Sequence, residues 1–206
     1  MGISDRRERE KQELRGRILD ASRRLFAEKG FEAVTIRTIA EAVEYSPRTI
    51  YLYFKDKEDL IRELCREDFG SFGAELGRLF RIADPLERLR AMGASYVRFG
   101  LEHPHHYKLM FMTPPAMQDD PDKPGKGNPE ADAYAAVVTS VQEGMDRGLF
   151  RPELQDAHLL AQVIWAGVHG TAALAITHGK DQYVPWADLS SRIETILDVT
   201  LRGIRR

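Results

Sequence analysis

Ser46-Pro47 divides the stretch from Thr35 to Lys57 into two short helices with room for only a tight turn between them. No other feature constrains the fold as much. Ser caps a helix, and Pro fits the first helical position because the N–H it lacks had no partner there. Before the break, Ile36, Ile39, Ala40 and Val43 recur at helical spacing and form one apolar face, with Thr35 as N-cap. After it, Ile50 and Phe54 are one turn apart and face inward, which leaves Arg48, Tyr51, Leu52 and Tyr53 pointing largely outward. A short helix that exposes Arg, two Tyr and Leu is poorly explained as a solvated face. It suits a surface that meets phosphates and base edges in a DNA groove.

The rest of the chain reads as helix with almost no strand signal. The first helix runs from about Arg7 to Lys29, with Leu14, Ile18, Ala21 and Leu25 as its inner stripe and Gly30 as its stop. Asp56 caps a fourth helix that reaches about Phe80, and Gly70, Gly73 and Gly77 weaken its far end. Asp84-Pro85-Leu86-Glu87 is a strong start for a fifth helix that reaches His103, and Pro104 opens a short one through Met112. Residues 113–128 are rich in Pro, Gly and charge and read as a mobile loop. Asn128-Pro129 restarts a helix that ends near Gly148, and two long helices follow, at about Asp156–His178 and Pro185–Gly203. The fold class is all-α.

The first three of these helices resemble the DNA-binding domain of the tetracycline-repressor (TetR) family of transcription regulators. The resemblance covers about residues 11–65 and is carried by Ile18-Leu19-Asp20-Ala21, Leu25 through Phe31, Thr35 through Ala42 and Thr49 through Leu60. It implies a three-helix N-terminal helix-turn-helix domain followed by a larger helical bundle that binds ligand and dimerises. The expected boundaries are an arm at 1–10, the DNA-binding domain at 11–65 (helix-turn-helix about 35–54) and the C-terminal domain at 66–206. The expected DNA-facing set is Thr35, Arg37, Pro47, Arg48, Thr49, Tyr51, Leu52, Tyr53, Lys55 and Lys57. Arg37 enters as a base reader through the resemblance, and Arg48 through its outward position. Tyr51, Tyr53 and Lys57 are expected on phosphates. The chain departs from the family in the turn, where Val43-Glu44-Tyr45-Ser46 replaces the usual Ala-Gly-Val-Ser. Glu44 stands where Gly would relieve a strained backbone.

In the C-terminal half, Trp165 through Gly170 resembles a Trp-x-x-x-His-Gly signature found in one subgroup of the family's C-terminal domains. Trp165 and His169 are one turn apart and share a face, either as the wall of a ligand pocket or as core residues with His169 bonded to a backbone carbonyl. Met92, Tyr96, Phe99, Met110, Phe111 and Tyr134 complete the candidate pocket, with a plain core as the alternative for each. The small-residue stripe Gly167, Gly170 and Ala173, with Leu189, Ile193, Ile196, Leu197, Leu201 and Ile204, points to a homodimer joined through the last two helices.

A formal net charge of −2 and a pI near 6.3 do not advertise nucleic-acid binding, so a local basic face must carry it. Cys65 is the only cysteine, which excludes an internal disulfide and fits a cytoplasmic location. No apolar run reads as long enough to cross a bilayer, and the polar N-terminus shows no leader. His103, His105 and His106 straddle Pro104 without the spacing of a metal site and read as a helix cap with exposed imidazoles. No cofactor motif or catalytic constellation is present. The partners expected are double-stranded operator DNA, a second copy and an unidentified small-molecule effector, with no membrane. Two functional classes remain: a ligand-responsive regulator, most simply a repressor, and a helical ligand carrier or enzyme with a degenerate DNA-binding domain.

Overall fold

The computed structural model describes residues 3–112 and 125–206. These residues form nine α-helices: α1 Ile3–Lys29, α2 Ile36–Ala42, α3 Pro47–Ile50, α4 Lys57–Gly77, α5 Pro85–Glu102, α6 Pro104–Phe111, α7 Ala133–Asp146, α8 Ala157–His178 and α9 Leu189–Ile204. A 3-10 turn at Arg78–Arg81 follows α4. Among the described residues the only β contact is an isolated bridge between Phe150 and Arg205. The chain is all-α. It divides into two compact units, one of residues 3–68 with 105–112 and one of residues 69–104 with 125–206. The residues of α4 are shared between them.

The head unit is built on α1. Ile18, Leu19, Ala21, Leu25 and Phe26 are buried on its inner stripe, as are Ile36, Ile39, Ala40, Ile50, Phe54, Leu60, Ile61 and Leu64 elsewhere in the same unit. A charged group sits inside this unit. The Arg23 guanidinium meets the Asp68 carboxylate through two bonds, Nε–Oδ2 at 3.0 Å and Nη2–Oδ1 at 2.8 Å. His106 Nδ1 lies 3.1 Å from the same Asp68 Oδ1, so α1, α4 and α6 meet on one carboxylate. The expectation of exposed imidazoles therefore fails for His106, because a buried acid draws it inward. Cys65 is buried beside this group. Its thiol is pushed up to about 12, first by burial and then by the Asp68 charge.

The second unit packs α8 against α5, α7 and α9. Its core includes Leu89, Val141, Phe150, Leu160, Ala161, Ile164, Leu201 and Ile204. Gly93 allows the close approach of α5 to α9: a Cβ there would lie 2.4 Å from Leu197 Cδ2. Arg88 is buried too, and each of its three guanidinium nitrogens has a partner. Its Nε donates to Ser140 Oγ at 2.9 Å and Nη1 to the Ile82 carbonyl at 3.3 Å, while Nη2 pairs with Glu143. The last residues are tied back by the Arg151 N–H to the Ile204 carbonyl and the Arg206 N–H to the Leu149 carbonyl.

Several boundaries differ from those expected. Helix α1 begins at Ile3, and α4 tightens into 3-10 geometry at Arg78. Helix α7 begins at Ala133 because Asp132, and not Asn128, is its cap: Asp132 Oδ1 accepts from the Tyr134 and Ala135 N–H groups. Asn128 instead closes a turn, its carbonyl accepting from Ala131 and Asp132. Helix α9 begins at Leu189, after the Asp188 cap, and not at Pro185. Of the expected loop at 113–128, residues 113–124 lie outside the described residues, and the remainder is a turn with Gly125 and Gly127 at positive φ.

Two further expectations are corrected. By length and composition α8 is apolar enough to cross a membrane. One such helix is weak evidence, and α8 has one face in the core of its unit. The expected dimer stripe also divides. Leu197, Leu201 and Ile204 are buried within their own unit, and Gly167 faces Ile196 and Thr200 of α9. Gly170 has open space beside it.

Candidate nucleic-acid interface and effector site

Local chemistry sets the candidate interface. Thr35 and Thr38 form a reciprocal capping box at the start of α2, the Thr35 Oγ1 accepting from the Thr38 N–H at 3.2 Å and the Thr38 Oγ1 from the Thr35 N–H at 3.0 Å. Arg37, just inside, is exposed and pairs with Glu41 one turn on, at 3.1 Å. Helix α2 ends in a Schellman closure: the Tyr45 N–H bonds the Ala40 carbonyl at 2.9 Å and the Glu44 N–H bonds that of Glu41 at 3.2 Å. Glu44 takes φ +62°, the left-handed conformation that the missing Gly would relieve. Ser46 Oγ then accepts from the Thr49 N–H and caps α3, with Pro47 at its first turn.

Ile50 and Phe54 are buried and anchor α3 and the turn after it. Pro47, Arg48, Tyr51, Leu52 and Lys55 are exposed, with Tyr51 55% and Leu52 74% accessible. Thr49 and Tyr53 are half-buried. Lys57 differs from the rest. Its Nζ donates to the Phe31 carbonyl at 3.0 Å and lies 3.9 Å from the Phe31 ring centroid. The expectation of a lysine held out for a phosphate takes no account of this internal tie, which occupies one of the three ammonium donors.

The candidate effector residues are not all brought together. Tyr96, buried on α5, shares a hydrogen bond of 2.9 Å with His169 Nδ1 on α8. Trp165 meets the His169 ring edge-on at 6.2 Å and is itself 41% exposed. Phe72 and Phe99 continue the aromatic group, with Phe72 5.8 Å from Tyr96 and 4.8 Å from Phe99 between centroids. Burial holds the His169 pKa below its usual value. Met92 is fully buried, with Ser140 Oγ 3.8 Å from its sulfur. Tyr134 is exposed, and its hydroxyl meets His158 Nδ1 at 3.1 Å. Met110 and Phe111 belong to the head unit, where Phe111 packs on Tyr107 at 5.2 Å. Among the described residues no group of three or more His, Cys, Asp or Glu is placed to hold a metal.

Sequence reasoning missed the Arg23–Asp68–His106 group and the contact of Arg17 with the turn. Arg23 and Asp68 are 45 residues apart, and no local pattern pairs them. Tyr45 gave a signal, as a large residue where the family has a small one.

Comparison with known proteins covers both units. Residues 18–64 match the family model described as bacterial regulatory proteins, tetR family, and residues 89–198 match that of the tetracyclin repressor-like C-terminal domain. Among similar curated proteins is the transcriptional repressor AcnR of Corynebacterium efficiens, 27% identical over 86% of this chain and 92% of its own. The transcriptional repressor KstR2 of Mycobacterium tuberculosis is 27% identical over 68% of this chain and 70% of its own. Among solved structures, a TetR family transcription regulator from Marinobacter aquaeolei superposes with a TM-score of 0.74 at 24% identity, covering 97% of this chain and 98% of that one. The transcriptional regulator FadR from Bacillus subtilis, solved in complex with stearoyl-CoA, gives 0.72 at 22% identity, covering 92% of this chain and 98% of that one.

Proposed function

The chain belongs to the TetR family of transcriptional regulators, and from that premise we propose how its residues divide the work. It is a DNA-binding regulator of the repressor class. Residues 1–10 serve as an arm, 11–65 as the DNA-binding domain and 66–206 as the ligand-binding and dimerisation domain. Arg37 and Arg48 read base edges, since a guanidinium grips guanine through two bonds worth about 1–3 kcal/mol of discrimination. Thr35, Pro47, Thr49, Tyr51, Leu52, Tyr53 and Lys55 complete the contact surface. Lys57 offers a phosphate its remaining donors. The carrying observation is the exposure of Arg48, Tyr51 and Leu52 together on a short helix whose other side is anchored by Ile50 and Phe54.

The protein works as a cytoplasmic homodimer through α8 and α9. Leu159, Val163, Ala166, Gly170 and Leu174 fall at spacings of three and four along α8, and Leu159, Val163, Leu174 and Val199 of α9 are large apolar residues left exposed. A second copy that covers this face accounts for the membrane-like composition of α8. Such a dimer presents two recognition helices about 34–36 Å apart to successive half-sites.

A small-molecule effector binds in the second unit beside Tyr96, His169 and Trp165, and the Trp165-x-x-x-His169-Gly170 pattern marks the subgroup. Because α4 contributes residues to both units, ligand acts on the head through that helix, with a coupling of about 1–3 kcal/mol. Sedimentation and tryptophan emission test this reading. A dimer at micromolar concentration is expected, and a Trp186→Phe variant should report effector through Trp165. A monomer, or emission and melting unmoved across a broad ligand screen, would overturn these assignments.

A further inference from the structure

A residue of α1 builds the turn between α2 and α3. The closure of α2 puts Glu44 at φ +62°, a conformation that a side chain with a Cβ disfavours. Support comes from Arg17, whose Nη2 donates to the Val43 carbonyl at 3.4 Å and whose guanidinium carbon lies 5.8 Å from the centroid of the Tyr45 ring. Arg17 thus backs the turn on either side of Glu44, at the Val43 carbonyl and at the Tyr45 ring. Tyr45 is 43% exposed, and among the described residues its hydroxyl has no hydrogen-bond partner. It stands one residue before Ser46, the cap of the helix that carries Arg48 and Tyr51. A large aromatic ring, held from behind by a cation and carrying a free donor, is poorly explained as a solvated turn.

We propose that Tyr45 is a further DNA-contacting residue, donating its hydroxyl to a backbone phosphate, and that Arg17 is the positioning residue that holds it in place. This rests on the DNA-binding reading above and extends the interface from the recognition helix onto the turn. Hydroxyl contacts to phosphate fix register and carry no sequence information. The Arg17 fork is aimed at the Val43 carbonyl and the Tyr45 ring, so its assigned role is to act through Tyr45, and the salt slope tells that role from a direct phosphate contact.

Salt dependence separates these roles, because each phosphate neutralised by a cation contributes about 0.9 to the slope of log affinity against log salt, whereas a phenol contributes nothing. The full-length protein selects a duplex from a randomised pool, and that duplex is the probe for all variants at a series of salt concentrations. Tyr45→Phe should weaken binding by about tenfold at an unchanged salt slope, because a hydrogen bond to a charged group is lost. Arg17→Ala should weaken it similarly, again at an unchanged slope, and should add little to Tyr45→Phe in the double variant. Arg17→Lys should behave as Arg17→Ala, since an ammonium cannot both lie along the ring and reach the carbonyl as the planar fork does. Tyr45→Phe keeps the ring on the guanidinium and leaves the turn intact, so the test stands even if Arg17→Ala unfolds the head. Parent-like binding by Tyr45→Phe would overturn the proposal. So would a slope lowered by about one per half-site in Arg17→Ala, which would make Arg17 the phosphate contact. Failure of the parent to select any duplex would overturn the DNA-binding reading itself, before any variant is compared.

Discussion

Replacing Asp68 by Ala removes the acid that a buried cation requires. The Arg23 side chain is 7% exposed and that of Asp68 3%, so neither is solvated in the head unit. In the variant the acids left to Arg23 are Asp20, 79% exposed, and Glu67, 43% exposed and 3.9 Å away. Solvent screens both, and an exposed pair contributes less than about 1 kcal/mol. Removing one partner of a buried pair costs about 3–5 kcal/mol, because the other charge is left without compensation. At about 2–4 °C per kcal/mol for a chain of this size, the melting temperature should fall by roughly 6–20 °C. Asp20→Ala should cost under about 1 kcal/mol. An Arg23→Met/Asp68→Leu double variant should recover most of the loss, since apolar replacement of both charges leaves none uncompensated. Thermal and urea unfolding, followed by circular dichroism at one fixed protomer concentration, measure all three. If Asp68→Ala cost no more than Asp20→Ala, the pair would not hold α1 to α4 and the reasoning would fail.

Other expectations follow from single residues. Glu44→Gly should raise stability by up to about 1 kcal/mol, since Gly meets no Cβ penalty at φ +62°, with denaturation midpoints as the readout. The Cys65 thiol, raised to about 12 by burial, should resist iodoacetamide at pH 8 in the native protein and react in urea. His169 is held below its ordinary value of 6.5 by burial, so the folded state favours the neutral ring. Its contribution to stability is therefore present above about pH 6.5 and lost as pH falls through the lowered value, and His169→Gln should flatten that part of the pH–stability curve.

Much of the head, and the start of α5 in the second unit, was legible because the determinants are local. The Thr35, Ser46, Asp56 and Asp84 caps each satisfy backbone N–H groups within three residues, and the left-handed residue at Glu44 follows from a turn that normally carries Gly. Helix starts were misread where two signals compete. Pro129 and Pro185 suit a first helical turn, but the aspartates Asp132 and Asp188 farther on supply the cap. Contacts across long sequence separations were not legible at all. Tyr96 and His169 are 73 residues apart, and nothing in either neighbourhood specifies the other. Lys57 shows the same limit within the candidate interface, since its tie to the Phe31 carbonyl depends on how α1 and α4 pack. For the exposed α8 face, periodicity placed small residues on the helix but could not say that Gly167 is covered by α9 and Gly170 is open.

The most direct measurement titrates the full-length protein into DNA from upstream of its own gene, at several salt concentrations, with stoichiometry read from the complex. The expected result is a saturable complex of two protomers per site, tighter than on unrelated duplex, with affinity falling linearly in log salt. Arg48→Ala should flatten its preference at particular base pairs, not merely weaken binding everywhere. Equal affinity for unrelated duplex, or binding by the Arg48→Ala variant that keeps the parent's sequence profile, would contradict the central claim that this helix reads DNA.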